Sequence, residues 1–383
     1  MSPNRLIGPA LALVLTAAVG YGIYRSANDA RSKSSASGRV TLRGLVGSEK
    51  TDFLADPRVV AALGKHGITL QVDKSGSREM ASRPDLKDYD FAFPAGAPAA
   101  IKLQQVTGAK HAFTPFFSPM AIASWMPIAS VLEANGIVRK NGNTYYIVDL
   151  HKLFDLINKG TRWRDLPQNA AYAIGKGVLV STTDVRKSNS GAMYLALASY
   201  VFNGDNVVQS EEDVRKVLPH VAPLFLRQGF QESSSAGPFD DYLTMGMGKA
   251  PLVMVYEAQF IQHQLQAGGV QKDMVLLYPQ PTVYTKHTLV ALKPAADRLG
   301  DALQTDPELQ SLAAAYGLRS SAGDPTQQWT SKGVVAPAQL LDVIDPPTFE
   351  ILERMILSID STARGTPTST AANTTARQPL HSP

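Results

Sequence analysis

Between Val178 and Gly191 the chain reads VLVSTTDVRKSNSG, which gathers Thr183, Arg186, Ser188, Asn189, Ser190 and Gly191 into one short stretch. These are residues of capture rather than of bond-breaking. Hydroxyls and an amide orient a polar ligand, and a guanidinium grips a carboxylate or oxyanion through two parallel hydrogen bonds. A β-branched apolar run precedes the polar loop, and the long apolar run Ala192–Phe202 follows it, so the stretch reads as strand, loop, helix. The head of such a helix presents free N–H groups and a positive dipole end, which suits an anion. The plainer alternative is that Ser188 or Ser190 only caps a core helix, worth about 1 kcal/mol, while Arg186 and Lys187 lie on a solvated face.

The elements that would position such a loop begin at Val40. Val40–Val46 reads as a strand, Gly47–Lys50 as a turn, the run through Phe53, Val59 and Leu63 as a helix, and Ile68–Val72 as a second strand, a β-α-β unit. A polar loop, Asp73–Ala81, follows, with Ser77 as a candidate helix cap; then come a third strand at Tyr89–Phe93 and a helix over 99–106. Two successive strand ends thus carry Gly/Ser loops, the edge at which open α/β sheets bind ligands. Phe113–Trp125 is a strand-like run that suits a chain leaving one lobe for another. A second α/β set follows: a strand at Tyr145–Val148, a helix at Leu150–Ile157, the Val178 strand, a helix at Glu211–Leu226, and the buried strand Leu252–Glu257, which ends in a carboxylate. Met274–Pro279 and Val283–Leu292 read as returning strands, ahead of helices at 295–303, 307–317 and 348–359.

Composition narrows the function. At 383 residues, 44% hydrophobic and 18% charged, the body is globular and long enough for two lobes. A net charge of +4 without a Lys/Arg block argues against nucleic acid as a partner. With no cysteine there is no disulfide, thiolate chemistry or cysteine-ligated metal. The seven histidines never fall at the spacing of a local metal site, no G-x-S-x-G, S-x-x-K or H-E-x-x-H appears, and Met245–Ala250 puts Ala250 where a phosphate loop needs Ser or Thr. No cofactor is expected, and an enzyme is the less favoured class.

Leu6–Tyr24 carries no charge and is just long enough to span a bilayer, so residues 6–24 read as an uncleaved anchor after a short flank, 1–5, with a cleaved signal peptide as the competing reading because Arg5 precedes the run. Residues 25–39 read as a flexible tether, and 361–383, rich in Ser, Thr, Ala and Pro, as a disordered tail. Arg25, Arg31, Lys33 and Arg39 follow the segment and only Arg5 precedes it, a bias that by itself argues for a cytoplasmic body.

In the order of its parts the chain resembles the extracellular solute-binding proteins of the type II periplasmic-binding-protein fold, the capture components of ATP-driven importers. The resemblance rests on Gly47–Lys50, Ser75–Arg78, the Phe117–Ser124 crossover, Ser188–Gly191 and the return from Tyr278 to Leu292. It implies an α/β fold of two lobes with a two-strand hinge, preceded here by one transmembrane helix. The first lobe would take residues 40–125, the second 126–255, and 256–360 would return to the first and add the C-terminal helices. The body would stand on the extracytoplasmic side and work with an ABC permease. Carried over, the cleft residues are Ser48 and Glu49, then Ser75, Ser77 and Arg78, Ser118 at the crossover, and Thr183, Arg186, Ser188, Asn189, Ser190 and Gly191 from the far lobe. Glu49 and Glu257 would accept hydrogen bonds from sugar hydroxyls or pair with an amine, or else form structural salt bridges. Tyr278 and Tyr284 suit hinge packing. The alternative function is an anchored sensor or scaffold of the same fold.

Overall fold

The computed structural model describes residues 38–142, 145–229, 231–266, 271–340 and 342–364. The expected anchor at 6–24, most of the tether and the tail from 365 onward lie outside the described residues, among which no helix is long and apolar enough to cross a membrane.

The first lobe begins with β1 (Val40–Val46), a 3-10 turn at Ser48–Lys50, α1 (Thr51–Ala55), α2 (Pro57–Lys65) and β2 (Ile68–Lys74). Asp56 separates the two helices. Its carboxylate accepts the Arg58 N–H at 2.7 Å while Pro57, which has no N–H to satisfy, starts α2. β3 (Phe91–Phe93) and α3 (Ala97–Thr107) follow, and Gly108, left-handed at φ 70°, closes α3 by returning its N–H to Gln104. Both β2 and β3 pair in parallel with β1.

β4 (Ala112–Trp125) then leaves the lobe, and the second lobe takes α4 (Met126–Ala134), the hairpin β5 (Val138–Asn141) and β6 (Tyr145–Asp149), and α5 (Leu150–Asn158). An irregular stretch leads to α6 (Asn189–Phe202), α7 (Glu211–Leu226), α8 (Ala236–Met245), β7 (Leu252–Tyr256) and α9 (Glu257–Gln266). The return is β8 (Met274–Gln280) and β9 (Thr282–Ala291), followed by α10 (Asp297–Thr305), α11 (Pro307–Ala315), the short α12 (Thr326–Thr330), β10 (Val343–Ile344) and α13 (Phe349–Ala363). The strands run β2-β1-β3-β9-β4-β8-β6-β5, with β7 also on β4 and β10 on β9. β4 serves two sheets: from Ala112 to Pro119 it pairs with β9, and from Met120 to Trp125 with β7 and β8. The lobes are therefore joined by β4 in one direction and by the β8–β9 passage in the other.

Beyond β5, α8, α12 and β10, which the sequence did not announce, three points differ from the sequence expectation. The Val178 stretch is not a strand. Only Ser181 bridges to Val253, and the next rung is missing because the Tyr256 N–H goes to the Gln259 side chain at 3.2 Å. α4 was hidden by the apolar run before it, although Pro127 near its start is a helix-opening residue. The last helix, α13, buries its apolar face in the second lobe rather than the first: Leu352, Met355, Ile356 and Ile359 join the core that α6 and α7 build there.

Candidate ligand-binding cleft

Each side chain in the cleft is placed by the end of a regular element. β1 delivers Gly47, Ser48 and Glu49, and β2 delivers Ser75, Gly76 and Ser77. From the second lobe, the head of α6 brings Ser188 and Asn189, the segment before α8 brings Ser233–Ser235, and the end of β7 brings Tyr256; together these enclose a cavity of about 270 Å³. Two helix heads meet here. Ser188 is the N-cap of α6, yet its hydroxyl bonds Ser190 Oγ at 3.0 Å, and no side chain caps the helix. The first N–H groups of α6 are thus left for other partners. The head of α8 is already satisfied: the Ala236 N–H donates to Ser234 Oγ at 3.3 Å, the Gly237 N–H to the Ser234 carbonyl at 3.2 Å, and Pro238 has no N–H. Of the lining residues, only Glu49 brings a well-buried carboxylate; Lys74, Glu79 and Arg83 stand at the rim, Arg83 held by Asp85 at 2.6 Å.

Around the cavity the lobes touch at three points. Ser48 Oγ lies 2.8 Å from Ser234 Oγ. The Asn189 amide donates to the Ala95 carbonyl at 3.3 Å and to Tyr256 at 3.1 Å, and a Cβ on Gly96 would collide with Asn189 Oδ1. At Gly76 a Cβ would stand 2.6 Å from the Lys187 carbonyl oxygen.

Beneath the floor is a buried charged cluster. Glu49 folds back over Gly47, where any Cβ would be 2.5 Å from its carboxylate oxygens. Its Oε1 contacts the Lys50 ammonium and lies 3.4 Å from His287 Nδ1, which in turn accepts from Lys50 at 3.2 Å. Lys50 and His287 are fully buried. Burial alone would raise the Glu49 carboxyl, but the Lys50 charge and the His287 contact hold it at about 2. Burial, reinforced by Lys50, pushes His287 down to about 4 against the pull of Glu49. In the unfolded chain His287 returns to its ordinary 6.5, so between pH 6.5 and 4 the unfolded state binds the extra proton. This contribution to stability is complete above pH 6.5 and is lost as the pH falls toward 4; Glu49 adds a second loss from its ordinary 4.5 down to about 2. The melting temperature is expected to fall steadily from pH 7 to 5, and a His287→Gln variant to lose most of that slope.

Of the cleft residues that the resemblance implied, Ser48, Glu49, Ser75, Ser77, Ser188 and Asn189 line the cavity and the rest do not. Ser77 caps no helix; its hydroxyl accepts the Ala95 N–H at 2.9 Å and ties two strand-end loops together. Ser118 bonds the first turn of α9 through the Ala258 N–H at 3.1 Å. Thr183 and Ser190 bond each other at 2.8 Å behind the α6 head. Gly191 gives that helix room, since a Cβ there would sit 2.7 Å from the Thr183 carbonyl. Glu257 is bound from two sides by Arg319, at 2.6 and 2.8 Å, and by Tyr278 at 2.7 Å, deep under the hinge. Arg78 and Arg186 turn away from the cavity to α13. The sequence reading missed Ser233–Ser235, although three serines before a helical run were a visible signal, and it missed Tyr256, Lys50 and His287, which only tertiary packing assembles.

No family model and no curated protein matches the chain. Solved structures do. The periplasmic binding protein AfuA from Actinobacillus pleuropneumoniae, with exogenous fructose-6-phosphate bound, is similar at a TM-score of 0.55 and 10% identity over 86% of this chain and 99% of that one. The apo ferric ion-binding protein A of Pasteurella haemolytica is similar at 0.54 and 10%, covering 85% and 98%. An ABC transporter substrate-binding protein from Agrobacterium tumefaciens is similar at 0.54 and 13%, covering 86% and 95%. The chain has the type II periplasmic-binding-protein fold. The cavity lies between the two lobes of that fold, and its walls come from both.

Proposed function

We propose that the chain is a solute-binding protein of an ATP-driven importer, held at the membrane by residues 6–24 with its body on the extracytoplasmic side, and that it closes on a small ligand bearing both an anionic group and a hydroxyl. The observation that carries this reading is the cavity wall: the uncapped head of α6 and a ring of seryl hydroxyls from both lobes supply donors, while ionised Glu49 supplies one acceptor. Donors at helix heads suit an anion without needing a matching cation. Glu49, kept ionised by Lys50, can accept from a ligand proton donor such as a hydroxyl. The cavity of about 270 Å³ is just below the usual range for small-molecule sites, about 300–1,000 Å³. The bound sugar phosphate of the Actinobacillus neighbour supports the reading, since such a molecule carries both groups.

Thermal-shift measurements on the detergent-solubilised chain test it, using inorganic phosphate, sulfate, fructose-6-phosphate, glucose-6-phosphate, glucose and glycine. A ligand at about 100 times its Kd stabilises the folded state by about 2.7 kcal/mol. The expected result is a rise with hydroxyl-bearing anions that exceeds the rise with sulfate. A rise with glucose alone would remove the anionic group from the proposal, and no rise across the panel would shift the assignment to an anchored scaffold. Protease accessibility of the body in intact cells tests its side of the membrane.

A further inference from the structure

Arg78 and Arg186 stand in equivalent places on opposite sides of the cleft. Arg78 follows Ser77 in the second loop of the first lobe, and Arg186 precedes Ser188 at the head of α6 in the second. Both reach the same face of one helix. Arg78 pairs with Glu353, and Arg186, already bound to Asp184 at 2.7 Å, extends to Asp360 at 3.2 Å. Glu353 and Asp360 are seven residues apart on α13, two turns or about 10 Å along one side of the helix. The first lobe holds the helix at its start as well: Arg78 lies 5.3 Å and Lys102 5.4 Å from the centre of the Phe349 ring, and Lys102 Nζ is 3.9 Å from Glu350. The helix itself is rooted in the second lobe through Leu352, Met355, Ile356 and Ile359, and Arg354 pairs with Glu211 of α7.

We propose that α13 is a clasp between the lobes: fixed to the second lobe, it grips the ligand loop of the first through Arg78 and so biases the cleft toward closure before any ligand arrives. The pairing is well placed for this role. Arg78 is buried, its side chain 3% exposed, so pulling the lobes apart strips a desolvated guanidinium of the Glu353 carboxylate. Ligand that orders Ser75–Ser77 pulls on the same loop, so occupancy and the clasp favour the same state. A cleft that is already partly closed spends less of its ligand's binding energy on the conformational step.

The lobe separation can be read without any ligand, so the outcome is independent of the ligand assignment above. The chain has no cysteine, so Val60→Cys on α2 and Leu226→Cys at the end of α7, both exposed, take spin labels without background. Pulsed electron-spin distance measurements on the full-length protein would then compare this pair alone with the pair carrying Glu353→Lys or Arg354→Gln. Glu353→Lys is expected to raise the ratio of long to short separations about tenfold or more, the scale of losing a charged hydrogen bond. Arg354→Gln, which removes a contact within the second lobe, should leave the distribution where it was. If Glu353→Lys disturbs folding, Glu353→Gln combined with Phe349→Ala gives the same reading without the added charge. Unchanged distances in these variants, or an equal shift with Arg354→Gln, would overturn the clasp and leave α13 as a cover for the second core.

Discussion

Replacing Gly76 with alanine is expected to weaken ligand binding about tenfold to a hundredfold while changing the stability of the apo protein by less than about 0.5 kcal/mol. Gly76 does not have a left-handed backbone, so alanine costs the first lobe nothing by itself. Within the lobe the new Cβ meets only Glu79 Oε2 at 3.0 Å, a side-chain tip that can move, and the hard conflict arises across the cleft. The new Cβ would stand 2.6 Å from the Lys187 carbonyl oxygen, and a main-chain oxygen at the head of α6 cannot swing aside as a side-chain tip would. A methyl group here therefore acts as a wedge, present in the open and closed forms alike but strained only in the closed one. Calorimetric titration with whichever compound raises the melting temperature measures the effect, and wild-type affinity would show that the cleft closes without this contact. Gly96 offers a comparison. Its neighbour is the Asn189 amide, a side chain, so Gly96→Ala should weaken binding less despite the closer approach.

Arg319→Leu is expected to cost about 3–5 kcal/mol of folding stability, a fall in melting temperature on the order of ten degrees for a chain of this size. Arg319 and Glu257 are 3% and 0% exposed, and the guanidinium also donates to the Pro337 and Ala338 carbonyls at 2.7 and 3.2 Å. Removing the cation leaves a carboxylate under the hinge with Tyr278 as its remaining side-chain donor, and takes from two carbonyls the donor they share. The same variant should bind ligand as tightly as wild type once folded, because nothing in this cluster lines the cavity. Urea unfolding paired with a binding isotherm separates the two effects, and a large loss of affinity at full folding would return Glu257 to the cleft.

The opening β-α-β unit, the helix head at Ser188 and both strand-end loops were legible because they are written locally: β-branched runs, glycines and serines at boundaries, apolar helical periods. What escaped was set by distance in the chain. Arg186 next to two serines looks like a ligand grip, yet Asp184, two residues back, and Asp360, far along the chain, claim it first. Glu257 ends a buried strand as a catching carboxylate would, but its partner Arg319 lies in a loop with no pattern to announce it. The floor of the cleft depends on His287 arriving through β9 to meet Lys50 after β1, a meeting that no local spacing encodes. Most of the residues that do line the cavity are small and uncharged for the same reason that they were readable: they sit at element ends, where the backbone itself dictates the residue type.

β4 has a consequence for how the chain must be made. Its first half needs β9 and its second half needs β7 and β8, so neither sheet can be completed from a continuous piece of sequence. A ribosome that has delivered β1 to β4 has built a parallel three-strand fragment whose neighbour, β9, is still well over a hundred residues away, and the second sheet is in the same position until β7 and β8 emerge. Such long-range pairing folds slowly and leaves strand edges exposed while it waits. A chain of this design can complete neither sheet until nearly all of it is available.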